Sequence, residues 1–131
     1  MNKEFSYKIV RENRIILERF NSVANLQNVM EASLAIWSDP GYNKNYNGLA
    51  DLRGCKVEFG LKEIAKLFMF FANNANTAKG RLAILVDNPD ATARSYLFQN
   101  KLSGILKAKV FSTTESAADF LGVEVVVLED F

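Results

Sequence analysis

Histidine is absent from the 131 residues. With it go the commonest general base, the usual partner of a nucleophilic serine or cysteine, and the commonest zinc ligand. A single cysteine, Cys55, excludes an internal disulfide and a cysteine zinc site. Two Pro and seven Gly are too few for a low-complexity or disordered chain, the more so beside 49% hydrophobic residues and ten Phe. Neither sign of charge prevails: 16 Lys plus Arg face 15 Asp plus Glu, a net charge of +1, so no overall field holds nucleic acid or an anionic membrane. Long apolar runs are missing too. Leu67 to Ala72 and Leu82 to Val86 are the longest, far below the ~20 residues that cross a bilayer. Met1 to Ser6 carry Lys3 and Glu4 with no apolar stretch behind them, which points away from a secretory peptide and toward the cytoplasm.

What is there reads as one domain over residues 1–131, a length that supports a sizeable core. Phe5, Tyr7 and Ile9 alternate with Ser6, Lys8 and Val10; the polar Arg11 to Arg14 and the run Ile15 to Phe20 then complete an antiparallel hairpin. Ser22 is the expected cap of a first helix with Leu26, Met30, Ser33 or Leu34, and Trp37 on its stripe, stopped by Asp39-Pro40-Gly41. Val29 and Ile36 fall off that stripe and either add to the apolar surface open to a partner or simply pack under the loop Tyr42 to Asn47. A short strand, Gly48 to Arg53, is closed by Gly54. The second helix starts near Leu61 and is expected to bury Ile64, Ala65, Phe68, Phe71, Ala72 and Ala75.

Leu82 to Val86 is an uninterrupted apolar run of strand length, the mark of a central strand covered on both faces. Asn88-Pro89 opens a third helix with Ala91, Ser95, Phe98, Leu102 and Ile105 inward. Lys107 to Phe111 is a strand, Ser112-Thr113-Thr114-Glu115 a capping box, and Ala117, Ala118 and Leu121 the inner face of a last helix ending at Gly122. Val123 to Leu128 reads as one more strand. The class is α/β, a mostly parallel sheet opened by an antiparallel hairpin, in the order ββαβαβαβα plus a C-terminal strand.

This order, with Ala50-Asp51-Leu52-Arg53-Gly54, Arg81 to Val86, and Val110-Phe111-Ser112 leading into Glu115 to Gly122, resembles the STAS family of sulfate transporter and anti-sigma factor antagonist domains, in particular its stand-alone bacterial branch. The resemblance implies a regulatory, non-enzymatic domain that contacts another protein. Its phosphoswitch does not carry over: the stretch matching the phosphorylated position, Glu58-Phe59-Gly60-Leu61-Lys62, has no hydroxyl to receive a phosphate.

Several residues invite chemistry. Cys55 lies between Arg53 and Lys56, whose charge favours a thiolate; the plain alternative is a small side chain packed at a loop. Asp51 and Asp87 fall at strand ends, where open α/β sheets bind ligands; a phosphorylated aspartate aided by Lys107 or Lys109 competes there with simple capping. Asn88, Pro89 and Asp90 suit a capped helix better than an anion site. At ~100° per residue, Phe70 faces Lys62, Glu63, Lys66, Asn73 and Asn74 and is expected in solvent, flanked by Leu67 and Met69.

The expected binding surface is therefore Arg53, Cys55, Lys56, Lys66, Met69 and Phe70, facing a protein partner or a second copy. Val123 to Leu128, a Val-rich edge, favours a homodimer. The alternative function is a small-molecule or lipid carrier whose apolar cavity is bordered by Phe68, Phe71 and Phe98. No cofactor or metal is expected, and an enzyme using Cys55 or Asp51 ranks last for want of an acid–base pair.

Overall fold

The structure is a computed structural model that describes residues 4–129 and 131. Residues 1–3, part of the stretch read for a targeting signal, lie outside the described residues. The chain is α/β. Strands β1 (Phe5–Val10) and β2 (Ile15–Phe20) form the expected antiparallel hairpin, and β4 (Asn47–Asp51), β6 (Arg81–Leu85) and β7 (Lys107–Phe111) add parallel to β2 in the order β1-β2-β4-β6-β7.

Each parallel step carries one helix: α1 (Leu26–Trp37), α2 (Leu61–Ala72) and α3 (Pro89–Lys101). Because successive strands are neighbours and parallel crossovers are right-handed, all three helices cover the same face of the sheet. Their inner residues join Phe20, Leu52, Ile84, Val86 and Val110 in one core. The opposite face, with Ile15, Leu17, Leu49, Ala83 and Leu85, is covered by α4 (Thr114–Leu121) and α5 (Val125–Glu129). Strand β6 is buried on both sides, as its apolar run requires.

Local chemistry sets most helix starts. The Asn88 side chain accepts from the Ala91 N–H at 2.8 Å with Pro89 in the first turn, and Thr113 accepts from Ser116 N–H at 3.2 Å. Gly122, at φ +71°, ends α4 in the left-handed region that favours glycine.

Three expectations are corrected. Ser22 does not cap α1; Asn25 does, accepting from Asn28 N–H at 2.8 Å. Val23–Ala24 instead form a two-residue strand, β3, parallel to β5 (Lys56–Val57). The stripe on α2 is rotated by about a quarter turn at ~100° per residue: Ile64, Leu67 and Phe71 are buried, while Ala65, Phe68 and Ala72 are exposed. Phe70 is consequently half-buried, stacked on Trp37 with centroids 5.4 Å apart and edge-on to Phe71 at 5.3 Å. The Trp37 ring offers Phe70 more apolar contact than solvent does, and this tertiary contact selects between two nearly equivalent helix faces.

Finally, Val123 to Leu128 contributes the helix α5 and no strand. The Gly122 turn folds the chain back so that Val123 N–H reaches the Ala118 carbonyl at 3.1 Å, and Leu128 seats in the core under α4. Burial of Leu128 overrides the strand preference of β-branched residues. The Val-rich edge expected to pair with a second copy is therefore not formed by these residues.

Candidate functional site

The inward face of the sheet runs in rows across the strands. One row is Tyr7, Glu18, Ala50, Ile84 and Val110; the next toward the amino ends of the parallel strands is Ile9, Ile16, Gly48, Leu82 and Ala108. Gly48 and Ala50 are the smallest members of these rows, and both lie on β4 beneath the helices. Above them the helices do not close. A cavity of about 130 Å³ remains between this face and α1, α2 and α3.

Its walls are almost wholly apolar, with rings from Phe20, Trp37, Tyr42, Tyr46, Phe59, Phe71 and Phe98. Val29 and Ile36 line it together with Tyr42 and Tyr46, under the loop as in the second of their two readings. Of the three Phe residues named for a cavity, Phe71 and Phe98 line it; Phe68 is 38% exposed on the outside of α2.

The loops before β4 and β6 supply Tyr42, Tyr46 and Ala78 to the lining, with Arg81 at the start of β6, and the two loops are fastened to each other. Lys79 N–H donates to the Lys44 carbonyl at 2.7 Å, the Tyr42 hydroxyl donates to the Asn76 carbonyl at 2.5 Å, and Gly80 lies so close to the Tyr46 carbonyl that a Cβ there would collide with it. Burial pushes the Tyr42 phenol up to about 12, against a hydrogen bond from Trp37, so it stays protonated.

Two of the polar groups in the wall, Glu18 and Ser95, have no hydrogen-bond or ion-pair partner among the described residues. Glu18 is on β2 in phase with Ile16 and Phe20 and points to the helix side. Burial alone pushes its carboxyl up to about 7, and it has no ion-pair partner among the described residues. Ser95, on α3, is 1% exposed, and its Oγ finds no hydrogen-bond partner. Sequence reasoning placed Ser95 on the inner face of its helix and passed over Glu18. The signal for Glu18 was present: a charged residue in phase with Ile16 and Phe20 sits on the inward side of a strand.

The residues expected to form a binding surface do not line this cavity. Arg53 is a clamp on Asp51: its Nε and Nη2 donate to the two carboxylate oxygens at 3.0 and 2.9 Å, its backbone N–H adds a bond at 3.0 Å, and Arg19 approaches at 3.5 Å. Burial alone would raise the Asp51 carboxyl, but these bonds and charges outweigh it and hold it below the ordinary range. Asp51 is 4% exposed and fully engaged, which leaves no open position for phosphoryl chemistry. Asp87 accepts from Gly54 N–H at 3.0 Å and serves the turn.

Cys55 is 3% exposed and donates its S–H to the Phe20 carbonyl at 3.0 Å. Burial, reinforced by the charges of Asp51 and Asp87, pushes its thiol up to about 11, which fits the small packed side chain and not the thiolate. Lys56 pairs with Glu58 at 3.5 Å, and Lys66 is exposed on α2. Met69 is 58% exposed, but Phe70 beside it is tucked against Trp37. No group of acidic, cysteine or histidine side chains among the described residues is arranged to hold a metal ion, and no helix there is long and apolar enough to cross a membrane.

No family model matches the chain, and no curated protein matches it either.

Proposed function

We propose that this domain is a binding module, without catalysis of its own, that takes a small ring-sized apolar molecule into the cavity between its sheet and α1–α3. The observation that carries the reading is the cavity itself. Protein interiors are packed as densely as organic crystals, so an apolar void of this size beneath three helices is exceptional. An apolar cavity of about 150 Å³ accepts a benzene ring, and this one has about 130 Å³. The protonated Cys55 and the saturated Asp51 favour binding over catalysis.

Toluene is the direct probe. Titrated into the labelled protein, it is expected to move the amide signals of residues around the cavity, Ser33, Phe71 and Ile84 among them. Ala50→Leu, which fills the floor, is expected to abolish the effect while the fold persists. No shift at saturating toluene overturns the reading.

The STAS-like reading, a regulatory contact with another protein, keeps one observation in its favour. Leu61, Phe68 and Met69 form an exposed apolar strip along α2, at 62%, 38% and 58% exposure. Its test is Met69→Glu: loss of a captured partner with an intact fold supports the contact, and unchanged capture removes it.

A further inference from the structure

Ser95 and Glu18, the polar groups of the cavity without a partner among the described residues, say more about the occupant than the apolar walls do. In this protein a helical hydroxyl ordinarily bonds back to the carbonyl four residues earlier: Ser33 to Val29 at 2.8 Å, Ser38 to Leu34 at 2.8 Å, and Thr92 to Asn88 at 2.7 Å. Ser95 does not, although it is buried on the same kind of helix. A buried hydroxyl without a partner is costly to desolvate, so the orphaned Oγ lining the cavity marks a place where a ligand atom completes a hydrogen bond.

Glu18, half-buried in the same wall, is a carboxyl with no ion-pair partner among the described residues. Arg81 is the only other side chain of the lining that carries a formal charge, and its guanidinium is held elsewhere. It donates to the Phe120 carbonyl at 2.9 Å and lies 5.6 Å over the Phe120 ring, on the α4 side of the sheet. The cavity therefore carries seven aromatic rings and one acid without a counter-ion among its described lining, an environment that attracts an organic cation through both the carboxylate and the ring faces.

We propose that the occupant is a single-ring organic ammonium ion, its nitrogen paired with the Glu18 carboxylate and its far end bearing a hydroxyl that bonds Ser95 Oγ. The span fits. Glu18, Ala50 and Ile84 form one row across β2, β4 and β6, two strand spacings or roughly 10 Å. Ser95 stands on the helix that packs against β7, beyond the far end of that row. Ala50, the small residue midway, leaves room for the ring. This inference rests on the cavity being a ligand site and adds the chemical class of the ligand.

The experiment compares toluene, 2-phenylethanol, phenethylamine and tyramine by calorimetric titration at pH 8, where the carboxyl is ionised. Phenethylamine is expected to bind about tenfold or more tightly than 2-phenylethanol, the value of a charge-assisted hydrogen bond over a neutral one. Glu18→Gln is expected to level the two. Tyramine is expected to exceed phenethylamine in the wild type and to lose that advantage in Ser95→Ala. If toluene and 2-phenylethanol bind and the amine shows no preference, or if its preference survives Glu18→Gln, the ammonium inference is overturned while the binding module stands. If phenethylamine and tyramine bind alike, the role of Ser95 is overturned. If none of the four binds, both this inference and the proposed function fail.

Discussion

At residue 18 a single carboxyl couples the cavity to stability. Its pKa is raised from the ordinary 4.5 to about 7 by burial, so between those values the folded chain holds a proton that the unfolded chain releases. The stability this lends is complete below about pH 4.5 and is lost as the pH rises through about 7. At ~1.4 kcal/mol per pKa unit the loss reaches up to about 3 kcal/mol, less to the extent that water enters the cavity. Urea unfolding at pH 5 and pH 8 is expected to show this fall in the wild type and a flatter profile in Glu18→Gln; an equally steep fall in the variant contradicts it. Cys55 makes the opposite point about a residue that looked reactive. With its thiol at about 11 and nearly no exposure, the native protein is expected to resist thiol reagents at pH 7.5 and to react only when unfolded. Rapid labelling of the folded protein would refute this.

For α2, the apolar residues are spaced so that two overlapping stripes compete, one through Ala65, Phe68 and Ala72 and one through Ile64, Leu67 and Phe71. The rotation of the helix makes a testable contrast between adjacent aromatics. Phe70→Ala is expected to cost about 1–2 kcal/mol, since it removes a stacked and an edge-on ring contact together with part of a core wall. Phe68→Ala is expected to stay within about 0.5 kcal/mol, as surface changes do. Denaturant midpoints separate the two, and equal effects would place the helix in its other orientation. The short α5 teaches the same lesson with strand-forming residues: Leu128 gains more from the core under α4 than Val123 to Leu128 gains from their local preference.

The cavity belongs to the molecule as a whole, because β2, β4, β6, three helices and two loops each contribute to it. The fastening of those loops to each other is what holds its rim. Gly80→Ala forces a Cβ onto the Tyr46 carbonyl, a backbone atom that cannot swing aside as a side chain would. The variant is expected to lose about 1–3 kcal/mol and to weaken toluene binding, because the Lys79 to Lys44 and Tyr42 to Asn76 bonds must shift with the loops. A melting temperature and a toluene affinity both equal to the wild type would show that the two loops are independent of the rim.

Reading residues in order was enough for the hairpin, for β6 as a doubly covered strand, for the Asn88 cap and for the α/β class; the last helix was placed, but its cap is Thr113, one residue after the Ser112 that the expected box requires. Each rests on interactions within a few residues or on a hydrophobic period that one element displays alone. Phe71 and Phe98 facing a cavity were legible for the same reason, and the inner side of α1 near the loop in one of its two readings. Glu18 as the unbalanced acid, Ser95 as the orphaned hydroxyl, the true face of α2 and the helical fate of Val123 to Leu128 were not. Those depend on which side chain from a distant element arrives, Trp37 against Phe70 or α4 over Leu128, and on which, among the described residues, does not, a cation for Glu18 or a carbonyl for Ser95. Local period cannot rank faces that differ only in their distant neighbours; burial and unmet hydrogen bonds exist only once the layers have come together.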